Sequence, residues 1–287
     1  MPLRFLVVDG YLREGRELHR STYGLTPSDS YAEVLKALEP EAVCDVACPA
    51  DEGANLPDAA GLESYDAVVL TGSSLNAYDG GPAITRQIDL ARAVYRSGTP
   101  FFGSCWGIQI GALAAGGDVR KNPAGREMGF ARKITIHEKG RGHPLLEGRP
   151  TVFDAPAVHL DAVTTLPGDI DVLASNAMTP VQAAEIRCEG GTFWGVQYHP
   201  EFSLTELAVI LGRMREPMVA EGFCRDADDH AAHVATLHAL GREPDRSDLA
   251  WKLGLDRDVL DETLRTTEIR NFIRRRVKPV KSARGRA

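Results

Sequence analysis

The stretch Phe101-Phe102-Gly103-Ser104-Cys105-Trp106-Gly107-Ile108-Gln109 decides how this chain folds. A short apolar run leads without a break into Gly-x-Cys-x-Gly, and an apolar helical stretch follows. Small residues on both sides of Cys105 permit a tight strand-to-helix turn, which lifts the side chain above the end of a sheet. A cysteine so placed sits at a helix N-terminus, where partial positive charge favours thiolate over thiol. Read by itself, Cys105 is equally a small buried core residue, the common fate of a free cysteine.

On either side of this stretch, short β-rich runs alternate with helical ones over roughly the first 200 residues. That is the pattern of an α/β fold with a doubly wound, mostly parallel sheet flanked by helices. The predicted strands are 4–8, 67–70, 100–103, 133–136, 181–186 and 192–198. The first three show little polar alternation, as strands covered on both faces do. The predicted helices are 30–38, 84–97 and 108–115, with Pro82 near the start of the second and Gly98 just past its end. Residues 116–129, rich in Gly, Asn and Pro, read as a surface loop. Ser203-Leu204-Thr205-Glu206 has capping-box spacing and opens a last domain helix over 203–216. The chain thus divides into a domain, 1–216, and an α-helical C-terminal extension, 217–287, broken near Pro217 and again between Gly241 and Pro244. Within the extension, 256–277 reads as one amphipathic packing helix carrying Leu260, Leu264, Ile269, Phe272 and Ile273.

Composition narrows the class. With 287 residues, 43% apolar and 25% charged, the chain can build a real core, which excludes a disordered, collagenous or disulfide-stapled protein. No apolar run spans a membrane, and MPLRFLVVDG has too short an apolar stretch for a secretory signal. Five scattered cysteines point to reduced thiols and a cytoplasmic location. Net charge is −7, yet residues 269–287 hold eight bases and no acid; the other 25 bases face 40 acids, leaving about −15 on the body. An acidic body argues against nucleic acid as a partner. The basic tail is read as solvated or docked on the body's own acids, with a partner or RNA as the alternatives.

A second motif changes the reading of Cys105. Trp194-Gly195-Val196-Gln197-Tyr198-His199-Pro200-Glu201 ends another predicted strand at an edge where loops gather over an α/β sheet. His199 there can take the thiol proton, and Glu201 can hold the imidazole in the right tautomer. Pro200 stiffens the link between them. Alone, His-Pro-Glu is a plain turn; with the cysteine elbow it makes a nucleophile, base and acid in chain order.

Together, Gly103-Ser104-Cys105-Trp106-Gly107-Ile108-Gln109 and Tyr198-His199-Pro200-Glu201 resemble the class I, triad-type glutamine amidotransferases. The resemblance spans about residues 3–210 and implies the flavodoxin-like fold of that family. It implies Cys105, His199 and Glu201 as the triad, and an oxyanion hole from the backbone N–H groups of Ser73 and Trp106. The family usually has Gly-Gly-Pro where this chain has Gly72-Ser73-Ser74. It further implies substrate contacts at Gly72, at Gln109, and at His159 and Asp161 of a His-x-Asp block, the last pair equally readable as shaping the pocket. The implied reaction removes the side-chain amide of glutamine through a γ-glutamyl thioester on Cys105, releasing ammonia for an acceptor. It needs no metal and no organic cofactor. This chain has no nucleotide-binding loop, so an acceptor-activating synthetase would be a separate polypeptide.

Three other readings stand beside this one. A stand-alone hydrolase of γ-glutamyl amides or peptides uses the same triad, and Gly125-Arg126-Glu127-Met128-Gly129 is similar to stand-alone members, plant γ-glutamyl peptidases among them. A cysteine-type α/β-hydrolase takes its acid before the histidine, from Asp154, Asp161, Asp169 or Asp171. A non-catalytic glutamine-binding or partner-binding scaffold needs no reactive thiol. Metal binding is not expected: His230, His233 and His238 do not share one helix face, and Cys44 and Cys48 have no second pair.

Overall fold

Phe5 and Val7 pack into one hydrophobic core while Leu6 and Val8 pack into another. Successive strand side chains point to opposite faces, so a run of apolar residues marks a strand with a core on each side. The computed structural model describes residues 1–165 and 168–285. Its strands are β1 (Arg4–Val8), β2 (Val43–Ala47), β3 (Ala67–Leu70), β4 (Phe101–Ser104), β5 (Asp118–Lys121), β6 (Glu127–Ile136), β7 (Val152–His159), β8 (Asp161–Thr165), β9 (Ile170–Ser175), β10 (Ala183–Cys188) and β11 (Gly191–Val196). The helices of the first part are α1 (Arg13–Tyr23), α2 (Pro27–Leu38), α3 (Ala59–Glu63), α4 (Pro82–Ser97), α5 (Trp106–Ala114) and α6 (Leu204–Gly212).

One sheet has the order β2-β1-β3-β4-β11-β10-β9-β6-β7. Its first five strands pair in parallel, and β10, β9, β6 and β7 extend it in antiparallel fashion. A separate ribbon pairs β5 with β8. Tyr31 and Leu35 of α2 cover one face of the sheet; Leu62 of α3, Val94 of α4 and Ile108 of α5 cover the other. Each such side chain contributes roughly 1.5–3 kcal/mol by leaving water. The fold is the doubly wound α/β fold expected, with the cysteine elbow at the C-terminal end of β4, which lies between two parallel neighbours, β3 and β11.

Two local expectations are corrected. Segment 116–129 is not a loop throughout: it contains β5 and the start of β6. Only Val119 of β5 is buried, which leaves no apolar alternation to read, and Glu127 is buried by partners rather than by hydrophobicity. The stretch 256–277 is not one helix. It is α10 (Arg257–Leu260), α11 (Glu262–Arg265), α12 (Thr267–Phe272) and a π turn, Ile273–Val277, which follow α7 (Arg215–Ala220), α8 (Ala227–Arg242) and α9 (Ser247–Leu253) and precede α13 (Lys278–Ala283). Asp261 makes the break: its backbone is extended and its carboxylate accepts the N–H groups of Thr263 and Leu264.

The C-terminal segment enters the main core. Ile269, Phe272, Ile273 and Val277 pack in the same cluster as Phe5, Phe102 and Trp194. The basic tail lies on the body: Arg275 makes two 2.6 Å bonds to Glu147, Lys278 sits 2.5 Å from Glu39, and Lys281 reaches Asp66 at 3.0 Å. Arg286 lies outside the described residues. Among the described residues no group of three or more His, Cys, Asp or Glu could hold a metal ion, and no helix is long and apolar enough to cross a membrane.

Candidate active site

Cys105 has φ +52°, a left-handed backbone that few non-glycine residues adopt, and it caps α5 directly after β4. The flanking glycines make this turn possible. A Cβ on Gly103 would stand 2.7 Å from the Gly107 Cα, and one on Gly107 would stand 2.7 Å from the Leu70 carbonyl oxygen. The Trp106 indole is buried and donates to Gln87 at 2.7 Å, so the helix start is anchored from below. The Cys105 N–H is taken by Val196 of β11 at 2.8 Å. The Cys105 turn and the strand leading to His199 are thereby fixed to each other.

His199 and Glu201 meet across Pro200. The Nδ1 of His199 lies 2.7 Å from Glu201 Oε1, and the His199 N–H donates to the Pro156 carbonyl at 2.7 Å. Phe202 stacks flat on the imidazole, centroids 3.9 Å apart and planes 5° apart. The Cys105 sulfur adjoins the ring. Burial works against a charged imidazole here, but the carboxylate of Glu201 and the Cys105 sulfur outweigh it, and the His199 pKa rises from 6.5 to about 10. These neighbours favour the charged form of the ring.

The loop after β3 passes so close to His199 that a Cβ on Gly72 would stand 2.8 Å from its Cε1. Ser73 follows, its hydroxyl accepting the Leu75 N–H at 3.2 Å, and among the described residues its own N–H has no acceptor. Trp106 is the first residue of α5, and helix-start N–H groups lack an intrahelical acceptor. Gln109, one turn into α5, spends its amide hydrogens on Asp161 O at 3.2 Å and Gln197 Oε1 at 3.4 Å. His159 has both nitrogens engaged, with Glu127 Oε2 at 2.8 Å and Asp161 O at 3.0 Å. It therefore braces the pocket wall. Burial would raise the Glu127 carboxyl, but hydrogen bonds from His159, Asn176 and Gln182 pull it below its ordinary value. The Asp161 carboxyl is raised by burial, against the Tyr78 hydroxyl that donates to it at 3.1 Å.

Ser73, Cys105, Gln109, His159, Asp161 and His199 line a cavity of about 480 Å³ that also takes in Tyr11, Leu18, Ile210, Arg213 and Met214; Gly72 is not among its lining residues. The sequence reading missed this second wall. Its only signal was position, since Tyr11 lies just beyond the C-terminal end of β1, where α/β proteins place their sites. Phe202 was legible only as the neighbour of Glu201. None of Asp154, Asp161, Asp169 and Asp171 bonds His199; Asp154 pairs with Arg132 and Asp171 with Arg187.

The glutamine amidotransferase class-I family profile matches residues 35–211 of this chain. A γ-glutamyl-L-1-hydroxyisopropylamide hydrolase from a Pseudomonas species is 34% identical over 94% of this chain and 92% of its own length. The GMP synthase of Symbiobacterium thermophilum is 37% identical over 43% of this chain, a match covering 24% of that enzyme. Among solved structures, a glutamine amidotransferase from Thermotoga maritima superposes with a TM-score of 0.66, 16% identity, and cover of 97% of this chain and 99% of that one. This chain belongs to the class I glutamine amidotransferase family, and it is an amide-hydrolysing enzyme of that family.

Proposed function

We propose that the protein is a stand-alone hydrolase of γ-glutamyl amides, with Cys105, His199 and Glu201 as its triad. The Cys105 thiolate attacks the γ-carbonyl of the glutamyl group, and the Ser73 and Trp106 N–H groups hold the oxyanion that forms. His199 gives its proton to the departing nitrogen, the C–N bond breaks, and a γ-glutamyl thioester remains on Cys105. His199 then takes a proton from water as it attacks the thioester, which releases glutamate and the thiolate. Glu201 orients the ring and stabilises its charge. The Asp161 carboxylate and the Gln109 carbonyl oxygen offer acceptors to the substrate's α-ammonium group.

The observation that carries this reading over a glutaminase is the apolar surface that Leu18, Phe202, Ile210 and Met214 give to the cavity of His199, with Phe202 stacked on the ring itself. Ammonia departing from glutamine has no use for it, whereas an amine with a carbon substituent is sheltered by it. The full-length likeness to a γ-glutamyl amide hydrolase supports the same choice. The partial likeness to GMP synthase favours a second reading, an ammonia donor to an acceptor activated by a separate polypeptide.

Purified protein incubated with glutamine and with γ-glutamyl-isopropylamide separates the two. Glutamate release that is faster from the substituted amide, and absent in Cys105→Ala, supports the hydrolase. Release from glutamine alone supports the ammonia donor.

A further inference from the structure

Two arginines line the pocket, and only one is neutralised. Arg126 makes a bidentate pair with Glu221 at 3.1–3.3 Å. Arg213, just past the end of α6, donates instead to Thr22 Oγ1 and to His19 Nδ1, each at 3.2 Å, and among the described residues no carboxylate lies within salt-bridge distance of it. Burial depresses its pKa, with Tyr11 and Glu206 only partly compensating.

The support beneath Arg213 is built. Because Arg213 donates to Nδ1, that nitrogen accepts, and His19 must donate from Nε2 to Glu206 Oε1 at 3.1 Å. The other Glu206 oxygen accepts the Ser30 hydroxyl at 2.8 Å. His19 and Glu206 are each 2% exposed. A buried relay thus holds the guanidinium, which lines the cavity with no carboxylate bonded to it among the described residues.

Its place in the pocket says what it faces. Phe202, stacked on the His199 ring, packs in one apolar cluster with Ile210 and Met214, so an amine leaving the nitrogen that His199 protonates in the proposed mechanism has this surface at hand. Arg213 lines the same cavity next to Met214, and its backbone N–H donates to the Ile210 carbonyl at 3.2 Å. Gln109 bonds the Asp161 carbonyl and Arg126 acts electrostatically on the Asp161 carboxylate, and the proposed mechanism seats the glutamyl group against these residues.

Resting on the hydrolase reading above, we infer that Arg213 binds a carboxylate on the departing amine, making γ-glutamyl dipeptides with a small apolar second residue the preferred substrates. An apolar surface with an arginine next to it matches the side chain and carboxylate of an α-amino acid.

The test compares γ-glutamyl-L-alanine with γ-glutamyl-L-alaninol, which differ only in carboxylate against hydroxymethyl. The wild-type enzyme favours the dipeptide by about tenfold in kcat/KM, a modest factor because the guanidinium is partly exposed and screened. Salt narrows the ratio. Arg213→Leu erases the ratio, and Arg213→Lys keeps part of it. Because each variant is read as a ratio of two substrates, loss of folded protein does not mimic the result, and the wild-type salt dependence needs no variant at all. Equal turnover of the two compounds by the wild type, or an equal loss on both in Arg213→Leu, overturns the inference while leaving the hydrolase intact. The latter pattern would place Arg213 on the glutamyl carboxylate instead. No Cys105-dependent turnover of any γ-glutamyl amide overturns the hydrolase reading, and this inference with it.

Discussion

The Tyr198 hydroxyl donates to the Glu268 carboxylate at 2.9 Å, so the residue beside His199 is held from the C-terminal segment. Glu268 also takes two bonds from Arg149, at 2.7 and 2.8 Å, and the two charged side chains are 0% and 2% exposed. Arg149 lies over the Phe153 ring, 4.6 Å from its centroid, and Phe153 packs edge-on against Tyr198. The helices beyond α6 are therefore joined to the strand end that carries the imidazole.

Removing one member of a buried ion pair leaves the other charge without compensation. Glu268→Ala is expected to destabilise the protein by about 3–5 kcal/mol. Tyr198→Phe leaves the Arg149–Glu268 pair intact and is expected to cost about 1 kcal/mol. Urea unfolding of both variants checks this. Equal losses would mean that the phenol, not the ion pair, carries the tie.

How much of this was legible in the sequence depended on whether the deciding partner was near in the chain. The elbow was legible because Gly103 is there for a local reason, the closeness of β4 and α5, and Gly107, which passes the end of β3, completes the pattern four residues on. The closeness of His199 and Glu201 was legible because only one residue separates them. Glu268 was not, because Arg149 is 119 positions away and nothing about either residue marks the pairing. Glu206 was read as half of a capping box, and half of that is what forms. The Ser203 hydroxyl accepts the Glu206 N–H, but the Glu206 carboxylate turns inward to His19 and Ser30. α1 was missed because its few apolar residues give no stripe, although it supplies a wall of the pocket through Leu18.

The tail makes a comparable tie at the other edge. Lys281 is buried, and its ammonium donates to the carbonyls of Met1 and Pro2 as well as to Asp66. Lys281→Met removes the cation and leaves the Asp66 carboxylate, among the described residues, with the Arg4 N–H. The expected loss is about 3 kcal/mol, as for a broken buried pair, with kcat per folded molecule preserved. Parallel denaturation and active-site-titrated turnover separate the two quantities, and a large fall in kcat would refute the assignment of the tail to stability alone.

Gly72→Ala tests the geometry around His199. The added Cβ would meet the ring at 2.8 Å, and Phe202, stacked at 3.9 Å, leaves the imidazole little room to yield. A displacement of an ångström in a reacting group can cost about 100-fold in rate. The expected outcome is a fall in kcat of that order with a small change in unfolding midpoint. A variant that turns over normally would show that the loop, and not the ring, gives way.

The charge on His199 predicts two pH effects. The imidazole is raised from 6.5 to about 10 by Glu201 and the Cys105 sulfur, against burial. A histidine that binds its proton more tightly when folded stabilises the fold fully below pH 6.5, and that contribution is lost as pH rises through about 10. In the proposed mechanism the charged imidazole is also the acid that protonates the departing amine, so kcat/KM should fall over the same alkaline range with an inflection near pH 10. Glu201→Gln removes the anion beside the ring and must move that inflection to lower pH. Cys105→Ala removes the other stabilising group, so the imidazole resonances of that variant should titrate below those of the wild type. An alkaline limb that stays in place in Glu201→Gln would mean that another group sets it, and would remove Glu201 from the triad.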